Sequence, residues 1–312
     1  METRRIGSLT VSVVGLGCNN FGMRIDEDRT RAVVDAAIDA GITLFDTADV
    51  YGGTKSEEFL GRALGGRRDQ VVVATKFGAP LSGEGSGGAS PAYVKSACEA
   101  SLRRLGTDRI DLYQLHFPDQ NTPVDDTLGA LDELVREGKV REVGCSNFTP
   151  AMIDAAGQSA SEKNTVSFAS VQNQLSLLER RHLHDLLDAC QRNGLAVLPY
   201  FPLASGMLTG KYRRNEAPPE GTRLANVPAE RRDRVFSDRN FDIVERLEKL
   251  AAERGHTLLE LAMSWLAGLP SMGSVIAGAT SPEQVRANAA SVDWTLTADE
   301  RAEVDAISAP EA

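Results

Sequence analysis

The chain predicts an α/β fold built on a parallel sheet, because short apolar runs alternate with helical stretches from about Val14 to about Ala290. Strand candidates are Val14–Cys18, Thr43–Phe45, Val71–Thr75, Asp111–Leu115, Val140–Ser146, Ser170–Asn173, Ala196–Pro199 and Ser274–Ala277. Between them apolar residues recur at helical spacing, as in Thr30–Ala40, Ser90–Leu105, Asp125–Arg136 and Arg180–Asn193. No linker of different composition separates two globular units, so residues 1–312 read as a single domain. Eight parallel strands with crossover helices describe either a doubly wound open sheet or a closed barrel, and strand count alone leaves both open.

The element ends carry their own signals. Ser90 before Pro91 reads as a helix start with proline in the first turn, and Gly138 and Gly194 read as helix stops. Arg4–Val11, with Gly7 and Ser8 at its centre, reads as a β-hairpin that would cover the bottom of a barrel. Late in the chain, Asp242–Arg254 and His256–Leu266 read as neighbouring helices. Two segments are too long for plain connectors: Gly78–Ala89, rich in glycine and serine, and Gly206–Asp238, which carries Pro218, Pro219, Gly221 and Pro228. Both are expected over an active site.

Composition removes several function classes. With 42% apolar and 25% charged residues the chain can bury a core, which excludes disordered and collagen-like classes. Its 34 basic against 44 acidic residues, a formal charge of −10, argue against a surface that tracks nucleic-acid phosphates. No apolar run is long enough to span a membrane, and Met1–Leu9 is polar with no apolar signal region behind it, so a cytoplasmic location is expected. Cys18, Cys98, Cys145 and Cys190 lie far apart with no Cys-x-x-Cys pair, which suits isolated buried thiols rather than disulfides or a metal site. Nothing specifies an obligate interface between copies, and the oligomeric state stays open, a monomer being compatible with the sequence.

The informative regularity lies at the carboxyl ends of the strands. Successive ends deliver Asp46, Lys76 and His116, and later ones deliver Ser146–Asn147, Gln172 and Tyr200. In a parallel barrel these positions open onto one face, where barrel active sites lie. Singly each has an ordinary explanation: Asp46 as a turn residue, Lys76 as a solvated strand end, Tyr51 as a surface aromatic, His116 as a hydrogen-bonded histidine at the core's edge. Packing alone gives no reason for all of them to converge.

The stretch Phe45-Asp46-Thr47-Ala48-Asp49-Val50-Tyr51-Gly52 resembles the signature of the aldo-keto reductases, and Ala74-Thr75-Lys76-Phe77 and Gln114-Leu115-His116 complete a tetrad in that family's order. Val143–Phe148, Gln172 and the segment from Pro199 to Lys211-Tyr212 are similar to the family's cofactor segments, so the resemblance spans nearly the whole chain. It implies a (β/α)8 TIM barrel with an N-terminal hairpin and long loops over the carboxyl face. It also implies NADPH as cofactor, with NADH as the variant, and a small carbonyl compound as substrate. Within it Tyr51 is the expected acid, Lys76 the ammonium that lowers the phenol's pKa, Asp46 the partner of Lys76, and His116 the donor to the carbonyl oxygen.

For the cofactor, Ser146, Asn147 and Gln172 are expected on the nicotinamide carboxamide, and Tyr200 under the ring. Phe201, Pro202, Leu203, Ala204, Gly206 and Lys211 would line the pyrophosphate, and Gly17 and Cys18 are also expected to touch the cofactor. Arg223 would reach the adenosine end, where Gly278, Thr280, Gln284 and Asn288 resemble the family's adenosine-phosphate site. Two departures stand out there: many members carry an arginine at the position of Gln284 and a lysine where this chain has Gly278 and Ala279. That leaves Arg223, Thr280 and the helix N-terminus to hold a 2′-phosphate.

Other motifs carry less. Gly83–Gly88 formally matches G-x-G-x-x-G but lacks a tight turn into a helix, and reads as a substrate loop. His182 and His184, two apart on an expected helix, point to different faces and do not suit one metal. Two alternatives stand beside a reductase. One is a cofactor-sensing subunit, like the potassium-channel β subunits that resemble this family; the other is a barrel enzyme using Lys76 as a Schiff-base nucleophile.

Overall fold

The computed structural model describes residues 1–80 and 87–310. It opens with the expected hairpin, β1 (Thr3–Ile6) and β2 (Leu9–Ser12), paired antiparallel around the turn at Gly7 and Ser8. Gly7 has φ 55°, a backbone conformation that favours glycine, and the Glu142 carboxyl closes over it.

Eight parallel strands follow: β3 (Val14–Gly17), β4 (Leu44–Asp46), β5 (Val72–Phe77), β6 (Ile110–Leu115), β7 (Val140–Ser146), β8 (Ser170–Gln172), β9 (Ala196–Val197) and β10 (Val275–Gly278). Each from β3 to β9 pairs with the next in sequence, and β10 returns to pair with β3. Hydrogen bonds from Val197 N to Ser271 O, Gly273 N to Val197 O and Ile276 N to Pro199 O join the last two strands. The sheet is therefore a closed (β/α)8 barrel, not an open doubly wound sheet.

Because strand side chains alternate, each strand sends every second residue into the barrel. Leu44, Val72, Ala74, Leu112, Ala169, Ala196, Leu198 and Ile276 form an interior cluster together with Ile6, Leu9 and Val11 of the hairpin. The hairpin thus plugs the amino-terminal end, and each fully buried leucine or valine contributes about 1.5–3 kcal/mol. The opposite faces, such as Phe45, Val73, Tyr113, Val143 and Val171, pack against the helices in the larger outer core. Continuing the inward parity one step toward the carboxyl end reaches Asp46, Lys76, Gln114, Ser146 and Gln172.

The helices are α1 (Glu27–Asp39), α2 (Lys55–Leu64), α3 (Pro91–Leu105), α4 (Val124–Arg136), α5 (Pro150–Lys163), α6 (Leu183–Asn193), α7 (Ala229–Val235), α8 (Asp238–Glu253), α9 (Leu258–Ala267), α10 (Pro282–Ala290) and α11 (Ala298–Ile307). Their starts are set by capping side chains: Asp26 accepts from Arg29 N, Thr149 from Met152 N and Ser281 from Gln284 N. Thr257 and Thr297 form capping boxes with Glu260 and Glu300. Gly194 ends α6 in the left-handed region. Ser90 precedes Pro91 as expected, yet its side chain makes no capping bond.

Two expectations need correction, and a third falls mostly outside the described residues. His182 is not inside a helix but flanks the start of α6 at Leu183, with φ −110°. The segment Gly206–Asp238 is not a bare loop: it holds a 3-10 turn at Leu224–Asn226 and α7, started after Pro228 and braced by the Arg234–Glu230 pair one turn apart. Of the Gly83–Gly88 run, residues 83–86 lie outside the described residues.

Among the described residues no helix is long and apolar enough to cross a membrane, and no group of three or more His, Cys, Asp or Glu side chains could hold a metal ion. All four cysteines are free and buried.

Candidate active site

At the carboxyl end of the barrel the inward parity delivers polar groups where lower layers deliver methyls. Lys76, fully buried at the end of β5, donates from Nζ to Asp46 Oδ2 at 2.6 Å and to the Thr47 carbonyl at 2.8 Å. A third direction leads to the Tyr51 hydroxyl at 3.4 Å. The other Asp46 oxygen, Oδ1, accepts from Gln172 Nε2 at 2.8 Å and from Gln114 Nε2 at 3.2 Å.

Tyr51 sits on the turn between β4 and α2. Gly52 and Gly53 follow with φ 61° and 63°, and a Cβ on Gly52 would lie 2.5 Å from the Phe21 carbonyl, so this close approach of two loops requires glycine. Ser56 Oγ ties the turn down, bonded to Thr47 Oγ1 at 2.8 Å and to the Cys18 carbonyl at 2.9 Å.

His116 follows β6 and presents its ring edge-on to Tyr51, centroids 5.8 Å apart at 81°. Its other neighbour is Phe117, stacked at 4.7 Å. Burial, then the Lys76 charge, pushes the imidazole down to about 3, and Nδ1 is buried with no partner among the described residues. His116 is therefore neutral near pH 7.

The electrostatics of the Tyr51–Lys76 pair correct one expectation. Burial opposes the Lys76 charge, yet Asp46 and Tyr51 outweigh it and carry the ammonium above its ordinary value. For Tyr51 burial is also the largest influence, and it lifts the phenol above its ordinary value while Lys76 only partly offsets the rise. Lys76 does pull the phenol down as expected, but the net direction is upward, because a mostly buried phenolate loses more hydration than one ammonium at 3.4 Å restores. Both groups keep their protons near neutrality.

A cavity of about 800 Å³ runs from Tyr51, His116 and Asp46 past Ser146, Asn147, Gln172 and Tyr200 to Phe201, Pro202, Leu203, Gly206, Lys211 and Arg223. Gly17 lines its floor, and Gly278, Thr280, Gln284 and Asn288 line its far end. Two of the sequence-predicted cofactor positions do not line it, and neither does the fully buried Lys76. The Cys18 thiol is fully buried against the Leu16 carbonyl, and Ala204 is not in the cavity wall although its neighbours Leu203 and Ser205 are.

Near the barrel mouth the polar set is already wired together. Ser146 Oγ donates to the Gln172 carbonyl at 2.7 Å, Asn147 Nδ2 donates to the His116 carbonyl at 3.0 Å, and Asn147 Oδ1 accepts from the Tyr200 hydroxyl at 2.8 Å. Asn147 holds this position with φ 62°. Further along, Ala204, Ser205 and Gly206 have successive positive φ of 46°, 58° and 98°, a curvature found where backbone N–H groups cradle ligands.

The far half is a nest of cations. Lys211 is held below its ordinary value by burial and then by Arg24 and Arg223, and Arg223 is lowered by burial and then by Arg24 and Arg231. Such crowding is relieved by an anion, so these residues fit a dinucleotide pyrophosphate. Arg24 bonds the Gly221 carbonyl at 2.8 Å across the cleft, and Arg223 lies over the Phe201 ring at 5.3 Å. At the start of α10, Gln284 Oε1 accepts from Thr280 N at 2.8 Å and from Thr280 Oγ1 at 3.2 Å.

Sequence reasoning missed Asn19, Asn20 and Arg24, which line the cavity from the loop after β3, and Gln114, which reaches Asp46 from below. The strand-end rule that found Asp46 would have found Asn19 and Asn20, whereas Arg24, well beyond the end of β3, carries no such signal. The alternation Leu112, Gln114, His116 would have found the fourth.

Comparison with known proteins agrees with this architecture. The model of the Aldo/keto reductase family matches residues 13–309. The chain is 36% identical over 310 residues to the "Uncharacterized oxidoreductase YrpG" of Bacillus subtilis (strain 168), covering 95% of this chain and 92% of that protein. It is 34% identical over 275 residues to "Aldo-keto reductase yakc [NADP(+)]" of Schizosaccharomyces pombe, covering 85% and 79%. It is 32% identical over 300 residues to the "Probable voltage-gated potassium channel subunit beta" of Oryza sativa subsp. japonica, covering 94% and 92%. A match that begins in the turn before the first barrel strand and ends just past the last helix covers every element that shapes the cavity, and the chain belongs to the aldo/keto reductase family.

Proposed function

We propose that this protein reduces aldehydes or ketones with NADPH, Tyr51 acting as the general acid. The observation that carries the reading is the contact chain Asp46–Lys76–Tyr51, 2.6 Å and then 3.4 Å, with the phenol and the His116 ring both opening into the long cavity. A bound nicotinamide cofactor supplies hydride to the carbonyl carbon, and the residues of the chain handle everything on the oxygen side.

As charge grows on the substrate oxygen, Tyr51 is placed to give up its proton. A phenol above its ordinary pKa remains a competent donor, because an alkoxide is a far stronger base than a phenolate. Lys76 then stabilises the phenolate, and Asp46 keeps Lys76 charged. Neutral His116 steadies the carbonyl oxygen by hydrogen bonding without adding a competing proton equilibrium near pH 7. Ser146, Asn147 and Gln172 suit the carboxamide, Tyr200 the ring face, and Lys211 with Arg223 and Arg24 the pyrophosphate. A pyrophosphate site serves NADH and NADPH alike, and the choice of NADPH is supported by the cofactor in the name of the fission-yeast relative.

The test is consumption of NADPH and of NADH against a panel of aldehydes, ketones and sugars, with Tyr51→Phe as the control. Reduction by the wild type and near-complete loss in Tyr51→Phe with cofactor binding intact are expected. An unchanged rate in Tyr51→Phe removes it as the acid. A second reading, a cofactor-sensing channel subunit, is favoured by the rice relative. Tight NADPH binding with no turnover of any carbonyl would select it.

A further inference from the structure

Asp46 uses its two carboxyl oxygens differently. Oδ2 faces the Lys76 ammonium, whereas Oδ1 is held by two side-chain amides, Gln172 Nε2 from β8 and Gln114 Nε2 from β6. Gln114 is fully buried, does not line the cavity, and so reaches neither substrate nor cofactor. Its Oε1 has no hydrogen-bond partner among the described residues, although its Nε2 is engaged. A buried amide left half-satisfied with its donor aimed at a carboxylate is oriented by that carboxylate. Gly144 on β7 makes the room: a Cβ there would lie 3.2 Å from Gln114 Cγ and 2.5 Å from Ser170 Oγ.

We propose that Gln114, together with Gln172, is a positioning residue for the reduction: the two amides brace Asp46 as an anion turned toward Lys76, and so keep the ammonium charged beneath Tyr51. Amide donors bond a carboxylate more strongly than a neutral carboxyl, and they do so at every pH because an amide does not itself titrate. Gln172 shares its duty with the cavity wall, while Gln114 acts on Asp46 alone. The inference rests on the assignment of Tyr51 as the acid, and it assigns the support that assignment needs.

Gln114→Met removes the donors at similar volume. Its kcat for aldehyde reduction should fall about tenfold to a hundredfold, the loss expected for a hydrogen bond to a charged group, with KM and NADPH affinity unchanged. Gln172→Met should lower kcat and weaken NADPH binding together. Gln114→Glu should work best at low pH, where its acid still donates, and lose activity as it ionises beside Asp46, a pH limb absent from the wild type. Without any turnover, the Lys76 Nζ resonance in 15N-labelled protein should titrate at lower pH in Gln114→Met than in the wild type.

A purely structural role would lower thermal stability and leave the Lys76 titration and the shape of the pH profile alone, and that result overturns the proposal. An unchanged kcat in Gln114→Met overturns it equally. Because the Lys76 titration needs no substrate, a wild type that reduces no carbonyl counts against the proposed function and not against this bracing. Should Gln114→Met fail to fold, Gln114→Glu carries the same comparison, read across pH.

Discussion

The two ends of the barrel each bury an aspartate, and they neutralise it in opposite ways. At the amino end, fully buried Asp111 accepts from Val73 N at 2.9 Å and faces Arg68 at 2.7 Å, Arg141 at 3.2 Å and Arg109 at 3.6 Å. Those guanidinium side chains are 15%, 45% and 31% exposed, so each keeps a route to water and any one can substitute for another. At the carboxyl end Asp46 faces one ammonium, Lys76, which has no exposure at all, and otherwise only uncharged amides. Redundant, hydrated cations make a robust clamp. A single sealed cation makes a charge whose state is coupled to one neighbour, and here that neighbour is Tyr51.

The contrast is broken or sharpened by substitution, starting with the largest effect. Lys76→Met should reduce carbonyl turnover about a hundredfold to ten-thousandfold, the usual worth of a positioned acid–base group. It should also cost about 3–5 kcal/mol in urea denaturation, because it strands a buried carboxylate. Full activity in this variant would show that the carboxyl end is as replaceable as the other.

Asp49 supplies a third case, a buried carboxyl with no hydrogen-bond partner of ordinary geometry among the described residues. Burial, then neighbouring Glu57, raises it to about 7. The folded state keeps its proton up to that pH while the unfolded chain releases it near ~4, so the folded state is favoured at low pH and loses ground as pH rises through 7. Asp49→Asn is therefore expected to stabilise by on the order of 3 kcal/mol at pH 8 and about a third of that at pH 5. Equal gains at both pH values in thermal melts would contradict the sign.

The amino end should respond more mildly. Asp111→Asn is expected to cost about 2 kcal/mol with kcat unaltered, since the three arginines can rehydrate once the charge is gone. Arg141→Ala, which removes the most exposed of them, should cost no more than about 1 kcal/mol. A loss for Arg141→Ala comparable to that for Lys76→Met would end the claim of redundancy.

Resemblance of its segment to the aldo-keto reductases singled out Tyr51, whereas the sequence by itself determined the succession of βα units and the strand ends that carry Asp46, Lys76 and His116. Those are local properties: periodicity, turn residues and the residue type that terminates an apolar run. Tertiary structure alone decided that the sheet closes through Val197, Ser271 and Gly273, and that the cations Arg24, Lys211 and Arg223 crowd one cleft. It also decided that the Cys18 thiol turns away from that cleft. Only the fold decided that burial of Tyr51 outweighs the lowering by Lys76, and that Gln114 and Gln172 share one oxygen of Asp46. Desolvation and contacts between residues 68 and 126 positions apart are properties of the packed interior, which no local pattern encodes.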